Sequence, residues 1–298
     1  MLVMSMCAIT VLMMLALLIA VFTLFAVWSC LRRVTFCLTF DDGLKMHYTI
    51  AASLLEEYGW RGAFNVPTGL IGLSYEDLSS TERSDLCVDE NSMGFMTWEE
   101  VNDLLQRGHD VFPHAHRHRD IVNLIRVAGF AEAKKEILDS ANCYLNRTGV
   151  RPVYFCLPHN TETPEARNLI HKCGMQWVNV ARLNFGERRP PGATISVAEH
   201  VARQYYAGRT HIDIMIHGIT RASGGWRPFE NEKEFRTFLD DVRKLEDAGR
   251  IRVVRYSDSH VKYDWLYPLS SRICWLSAKI RRVVFKVTYQ GFLRECNG

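Results

Sequence analysis

The sequence predicts an α/β fold built on a mostly parallel sheet. Two observations carry this. Short apolar runs of strand length alternate with segments of helical spacing, and the joints are marked by Gly, Pro or capping residues. The chemically useful side chains fall just past the C-terminal ends of those strands, where parallel α/β folds gather their sites. With 298 residues, 48% hydrophobic, and a net charge of +3, the chain suits one large α/β domain or two small ones. The charge is too slight to imply a nucleic-acid partner. Zinc-ribbon spacing, a P-loop and a glycine-rich dinucleotide fingerprint are all missing.

The elements follow in order. Val34–Phe40 is a short apolar strand. Tyr48–Tyr58 carries Ile50, Leu54 and Leu55 at helical spacing and stops at Gly59. Gly62–Val66 is the next strand. Residues 70–96 form an insertion loop. Thr97-Trp-Glu-Glu100 is a capping box that opens a helix ending at Gly108. His109–Phe112 is strand-like, Ala131–Asn146 is helical, and Val153–Leu157 is a strand. Thr163-Pro164 is an N-cap with Pro at the first helical position, and that helix ends at Gly174. Trp177–Ala181 and Ile212–Ile216 are strands. Glu232–Ala248 is a long helix closed by Gly249, and Ile251–Val254 is the last strand.

Both ends of the chain read differently. Met1–Leu31 contains no Asp, Glu, Lys or Arg and is closed by Arg32 and Arg33. About 20 apolar residues span a bilayer, so residues 1–33 are expected to be a single-pass membrane anchor. A cleaved signal segment, giving a secreted protein, is the alternative. The arginines after the span place the domain in the cytoplasm, whereas the sequon Asn146-Arg-Thr148 points to a secretory lumen. Residues 259–298 form a basic tail. Trp275, Leu276, Ile280, Val283, Val284 and Val287 fall near one helical face; Arg272, Lys279, Arg282 and Lys286 fall near another. That pattern suits a membrane surface or packing back on the domain. The nine cysteines are dispersed with no CxxC pair, which argues against a disulfide scaffold.

The chemistry concentrates at two places. Asp41 and Asp42 end the first strand, and adjacent carboxylates repel unless a cation offsets them. His114-Ala-His-Arg-His118 places two imidazoles four residues apart, after another strand. Imidazole and carboxylate donors suit zinc and other first-row divalent ions. Asp42, His114 and His118 then make a facial set with open positions. His116 and His109 lie near in sequence, His116 out of step with the pair.

These stretches resemble the polysaccharide deacetylases with a NodB-type domain, a carbohydrate esterase family. Thr39-Phe-Asp-Asp-Gly43 is similar to the family's first motif. The run from Gly108 to Asp120, with its HxxxH pair, is similar to the second. Tyr154-Phe-Cys-Leu-Pro158 stands in the place of the third, and Met215-Ile-His217 in that of the last. Gly224-Gly-Trp-Arg-Pro-Phe229 is similar to a stretch that follows that histidine in some relatives. The resemblance covers about residues 34–258, which would form the catalytic domain.

It implies a distorted parallel (β/α) barrel that hydrolyses the N-acetyl groups of an acetylated polysaccharide or glycoconjugate. By the same resemblance, Asp42, His114 and His118 hold the metal, most simply Zn2+, with Co2+, Ni2+ or Fe2+ as other candidates. Asp41 is the base for the attacking water and His217 the acid for the leaving amine. Pro158, His159, Arg182 and Trp226 are candidates for substrate contact or support. The membrane is the other expected partner, and no protein partner is implied. An O-acetyl esterase or small-amide hydrolase on the same site, or a silent carbohydrate-binding protein, are the alternatives. Relatives carry an arginine before the prolines of the third motif, where it orients the base. Here the residue is Cys156, a neutral thiol, and Arg182 is the candidate replacement. The family's acidic-aromatic fourth motif is not evident near Trp177.

Overall fold

β1 (Val34–Phe40) is the axis of the molecule. Its sequence alternates. Phe36, Leu38 and Phe40 join the large core cluster, whereas Cys37 and Thr39 lie outside it, as the two-residue period of a strand requires. The computed structural model describes residues 12–17, 19–21, 33–86, 88, 94–178, 182–184, 201, 211–220 and 228–259.

Every strand pairing among these residues is parallel, and the fold is a mixed α/β one. The main sheet runs β3 (Asp110–Pro113), β2 (Ala63–Val66), β1, β7 (His211–Ile216), β6 (Arg182–Asn184). β8 (Ile251–Val253) pairs with the first half of β1 from Val34 to Phe36, and β2 takes over at Thr39 and Phe40. β4 (Tyr154–Phe155) and β5 (Gln176–Trp177) pair with each other. Cys156 N–H donates to Pro113 O at 2.9 Å, so the end of β4 is tied to the end of β3.

The helices are α1 (Ser53–Glu57), α2 (Ser80–Asp85), α3 (Trp98–Gln106), α4 (Ile121–Ala128), α5 (Phe130–Thr148), α6 (Pro164–Lys172), α7 (Glu232–Asp247) and α8 (Tyr256–Ser259). The amphipathic α7 buries Phe235, Phe238, Leu239, Val242 and Leu245 in the same cluster as Phe36, Leu38 and Phe40. Phe40 stacks on Phe64 and meets Phe235 edge-on, with ring centroids 5.1 and 6.2 Å away. The residue before the paired aspartates is therefore locked by aromatic packing. Thr97 and Glu100 form the expected capping box of α3, and Thr163 caps α6 with Pro164 at its first position.

Several boundaries differ from expectation. The segment expected as one helix over 48–58 opens as a π-helical stretch, His47–Ala52, and continues as α1. The strand expected over 153–157 spans Tyr154–Phe155. The insertion 70–96 contains a 3₁₀ turn, Tyr75–Asp77, and α2. α4 was not expected; Asp120 caps it by accepting from the Asn123 N–H.

The expected membrane anchor needs correction. No helix among the described residues is long and apolar enough to cross a membrane. The single-pass, membrane-associated placement and the membrane as a partner are therefore withdrawn. The basic tail lies outside the described residues from 260 onward. Cys37, Cys143, Cys156 and Cys173 form no disulfide.

Candidate active site

The C-terminal ends of β1, β3 and β7 meet. Asp41 N–H donates to Ile216 O at 3.0 Å, and His114 N–H donates to Val66 O at 2.8 Å. These bonds fix where each strand stops, and so where its next side chain points. After β1 the chain turns sharply: Asp42 has φ +78° and Gly43 φ +63°. A side chain at 43 would have its Cβ 3.0 Å from Ile71 Cδ1, so both backbone conformation and close approach favour glycine there. Ala115, His118 and His159 also have positive φ; with Asp42 they are all the non-glycine residues of that kind among those described. All four flank this one place. Left-handed backbone in such residues is costly and persists where surrounding structure imposes it.

Asp41, Asp42, His114 and His118 are all buried. His118 Nε2 is 3.1 Å and His114 Nε2 3.7 Å from Asp42 Oδ1. His217 Nε2 is 3.8 Å from Asp42 Oδ2, and the His217 side chain is 26% exposed, at the solvent edge of the cluster. The ligand atoms of Asp42, His114 and His118 lie within 4.8 Å of one another. His114 Nδ1 is 3.2 Å from Cys156 O. A carbonyl can only accept, so Nδ1 carries the proton and Nε2 presents a lone pair, the tautomer of a metal-binding histidine. Asp42 Oδ1 and His118 Nδ1 are buried with no hydrogen bond to satisfy them. An orphaned carboxylate oxygen facing two imidazoles fits a divalent cation.

The electrostatics agree. Burial alone raises the pKa of Asp42, yet His118, His217 and His114 outweigh it and hold the carboxyl well below its ordinary range. Burial pushes His114 down to about 4. Burial also lowers His118, but the facing Asp42 and Asp41 more than compensate and raise it. A second trio, Asp41, His114 and Cys156, shares His114. Asp41 differs from Asp42 in being engaged: Asn65 Nδ2 donates to Asp41 Oδ1 at 2.6 Å. Asp41 Oδ2 is 4.0 Å from His114 Nε2, so this carboxylate borders the same space while its other oxygen is held.

The remaining expected residues divide. His159 is beside His118, ring centroids 4.9 Å apart, with Nε2 3.2 Å from His118 O. Pro158 opens the 3₁₀ turn Pro158–Asn160 that carries it. Arg182 lies in register with Asp213, and Asp213 with Cys37. That level is four residues before Asp41 on β1, roughly 13 Å along the strand. Trp226 falls outside the described residues. His116 is directed elsewhere, with Nδ1 3.1 Å from Thr68 Oγ1. His109 accepts from the Gly62 N–H at 3.0 Å and faces Glu56.

Two residues at the site were not anticipated. Asn65 is a lone amide in the buried strand Ala63–Val66. His47 is fully buried, with Nε2 2.5 Å from His217 O, so it fixes the backbone of His217 by donating from Nε2. Burial, opposed by that bond, pushes His47 down to about 4. The unfolded chain therefore binds a proton below pH ~6.5 that the folded chain refuses until about 4. The contribution of His47 to stability is complete above ~6.5 and falls by about 3 kcal/mol as the pH drops towards 4. Urea unfolding at pH 7 and pH 4.5 should show this loss, with a smaller fall in His47→Gln.

Known proteins give the family. The sequence profile of the polysaccharide deacetylases matches residues 30–178, half of the chain. The chain belongs to the polysaccharide deacetylase family. Among solved structures it is similar to the chitin deacetylase of the fungal pathogen Colletotrichum lindemuthianum, at 14% identity and a TM-score of 0.53. That match covers 76% of this chain and 88% of that one. It is also similar to a mutant, with restored enzymatic activity, of a CE4 family pseudoenzyme from Bacillus anthracis. There the identity is 14% and the TM-score 0.50, over 76% of this chain and 67% of that one. At such identities the likeness speaks for the fold. No curated protein sequence matches.

Proposed function

We propose that this chain is a metal-dependent hydrolase that removes N-acetyl groups from an N-acetylated sugar polymer or glycoconjugate. Asp42, His114 and His118 hold the ion, with Zn2+ the best fit to one carboxylate and two imidazoles. The observation that carries the reading is the contrast between two neighbouring carboxylates: Asp42 Oδ1 is orphaned among imidazoles, while Asp41 is held by Asn65. When bound, a divalent ion supplies Lewis acidity towards the amide carbonyl and towards water.

The chain's own groups do the rest. Asp41 Oδ2 takes the proton as water adds to the carbonyl carbon. His217 Nε2, on the opposite side of Asp42, gives a proton to the nitrogen as the C–N bond breaks, releasing acetate and an amine. The partial exposure of His217 sets the leaving sugar at the solvent edge, where a polymer has room. His159, beside His118, and Pro158, which opens its turn, are assigned to the substrate side, as is Trp226 from the sequence, whereas Arg182 sits too low on the sheet for that role. The parallel sheet, extended past β3 by the bond from β4, is read as the family's distorted barrel over residues 34–258.

Asn65 takes the positioning role that Cys156 cannot fill. Asn65→Leu leaves Asp41 buried with one oxygen unpaired and free to rotate. A buried hydrogen bond to a charged group contributes about 1.5–3 kcal/mol, so kcat should fall by about 10–100-fold with KM little changed. Steady-state kinetics on N-acetylglucosamine oligomers check this.

Acetate release from N-acetylglucosamine oligomers and from an O-acetylated polysaccharide, run side by side, tests the reading. Release from the amide is expected. Release from the ester alone favours an esterase, and metal binding without release from either favours a carbohydrate-binding protein.

A further inference from the structure

A second group of ligand atoms lies lower on the same strands. Cys37 of β1 and Asp213 of β7 are partners in register, and both are fully buried. His211, at the start of β7, places Nε2 2.8 Å from Asp213 Oδ2. One sulfur, one nitrogen and one oxygen from these residues lie within 4.8 Å of one another. Asp213 Oδ1 is buried with no hydrogen bond. A carboxylate with no exposed surface and one oxygen unsatisfied is costly unless a cation faces it. His211 partners one oxygen, and the Cys37 thiol lies beside the carboxylate. Thiolate, imidazole and carboxylate are together a donor set for zinc.

The surroundings suit a structural role. Cys37 Sγ is 3.8 Å from Arg255 O, at the entry to α8. Asp110 Oδ2 and Oδ1 accept from Ser257 N–H and Oγ, each at 2.8 Å, which seats α8 over the start of β3. The His211 side chain is 23% exposed, so an ion and a completing water have a way in. Cys37 precedes Asp41 by four residues on one strand, roughly 13 Å, so a single ion cannot serve both groups.

We propose that Cys37, His211 and Asp213 form a second divalent-metal site, a zinc clamp joining β1 to β7 beneath α8. Binding releases the thiol proton, and the sulfur then coordinates as thiolate. Without a cation, burial and the neighbouring Asp213 hold that thiol well above its ordinary pKa, so the ion and the deprotonated sulfur stabilise each other.

The test is metal content by elemental analysis after loading with Zn2+ and dialysis, together with the spectrum of the Co2+-loaded chain. Two equivalents are expected in the native chain, with a thiolate-to-cobalt charge-transfer band. Cys37→Ser, a near-isosteric change, and His211→Ala, at a partly exposed position, should each hold one equivalent and lose the band. Cys156→Ser should keep it. A native chain that binds one equivalent, or a band that survives in both Cys37→Ser and His211→Ala, overturns the proposal. Asp42→Asn separates the two sites: it should lose one equivalent and keep the band. Full metal content in Asp42→Asn with loss in Cys37→Ser would sink the reading of the Asp42 centre and leave this one standing.

Discussion

Asp41→Asn should lower turnover by roughly 10²–10⁴-fold, the usual worth of a positioned general base, while the chain keeps its metal. The substitution is nearly isosteric and retains an oxygen that can still accept from Asn65 Nδ2, now 2.6 Å from Asp41 Oδ1. The geometry of the turn therefore survives. What is lost is the ability of Oδ2 to take a proton, beside His114 Nε2 at 4.0 Å. Metal content should be unchanged, because Asp42 and the two histidines remain. KM should move little, since a proton acceptor matters in the transition state rather than in binding. Parallel measurement of kcat, KM and bound metal checks all three. Equal loss of metal and rate would place Asp41 among the ligands instead.

Asp42→Ala should act differently, removing metal and activity together. Asp42 is the carboxylate that faces His118 Nε2 at 3.1 Å, His114 Nε2 at 3.7 Å and His217 Nε2 at 3.8 Å. Altering a group that merely supports a ligand costs about 10–100-fold in metal affinity, so deleting a ligand itself should exceed that range. The buried imidazoles would also lose the carboxylate that holds His118 above its ordinary pKa. Equilibrium dialysis against Zn2+ should show the loss of one tight site. Acetate release should drop to the metal-free level, and added Zn2+ should fail to restore it.

Local signals were well preserved in the sequence. Val34–Phe40 was bounded correctly because alternation and the terminal Asp-Asp-Gly mark both its ends. The capping box at Thr97 and the Thr163-Pro164 start are chemical statements about a helix N-terminus, and both hold. The residues Asp41, Asp42, His114, His118 and His217 were named from motif order, and the fold brings them together.

Non-local facts were hidden. Asn65 acts through its register beside Asp41, and the only sequence signal was one amide in an apolar strand. His47 was invisible because its partner, the His217 carbonyl, is 170 residues away. Arg182 looked like a neighbour of Asp41 until strand register placed it level with Cys37. The π-helical stretch His47–Ala52 has the same apolar spacing as an α-helix. The N-terminal run is apolar by composition, yet no helix among the described residues is long and apolar enough to cross a membrane. α4 was missed because the short segment from Ile121 to Ala128 has few polar positions to reveal its period.

The central claim is that Asp42, His114 and His118 hold a divalent ion that Asp41 and His217 use to cleave an acetamide. The most direct measurement is acetate release from N-acetylglucosamine oligomers by the native chain, before chelation, after it, and after Zn2+ is returned. Release that stops with the chelator and resumes with Zn2+ in the native chain, but not in Asp42→Ala, is the predicted result. Release that continues undiminished in the metal-free chain would contradict the account.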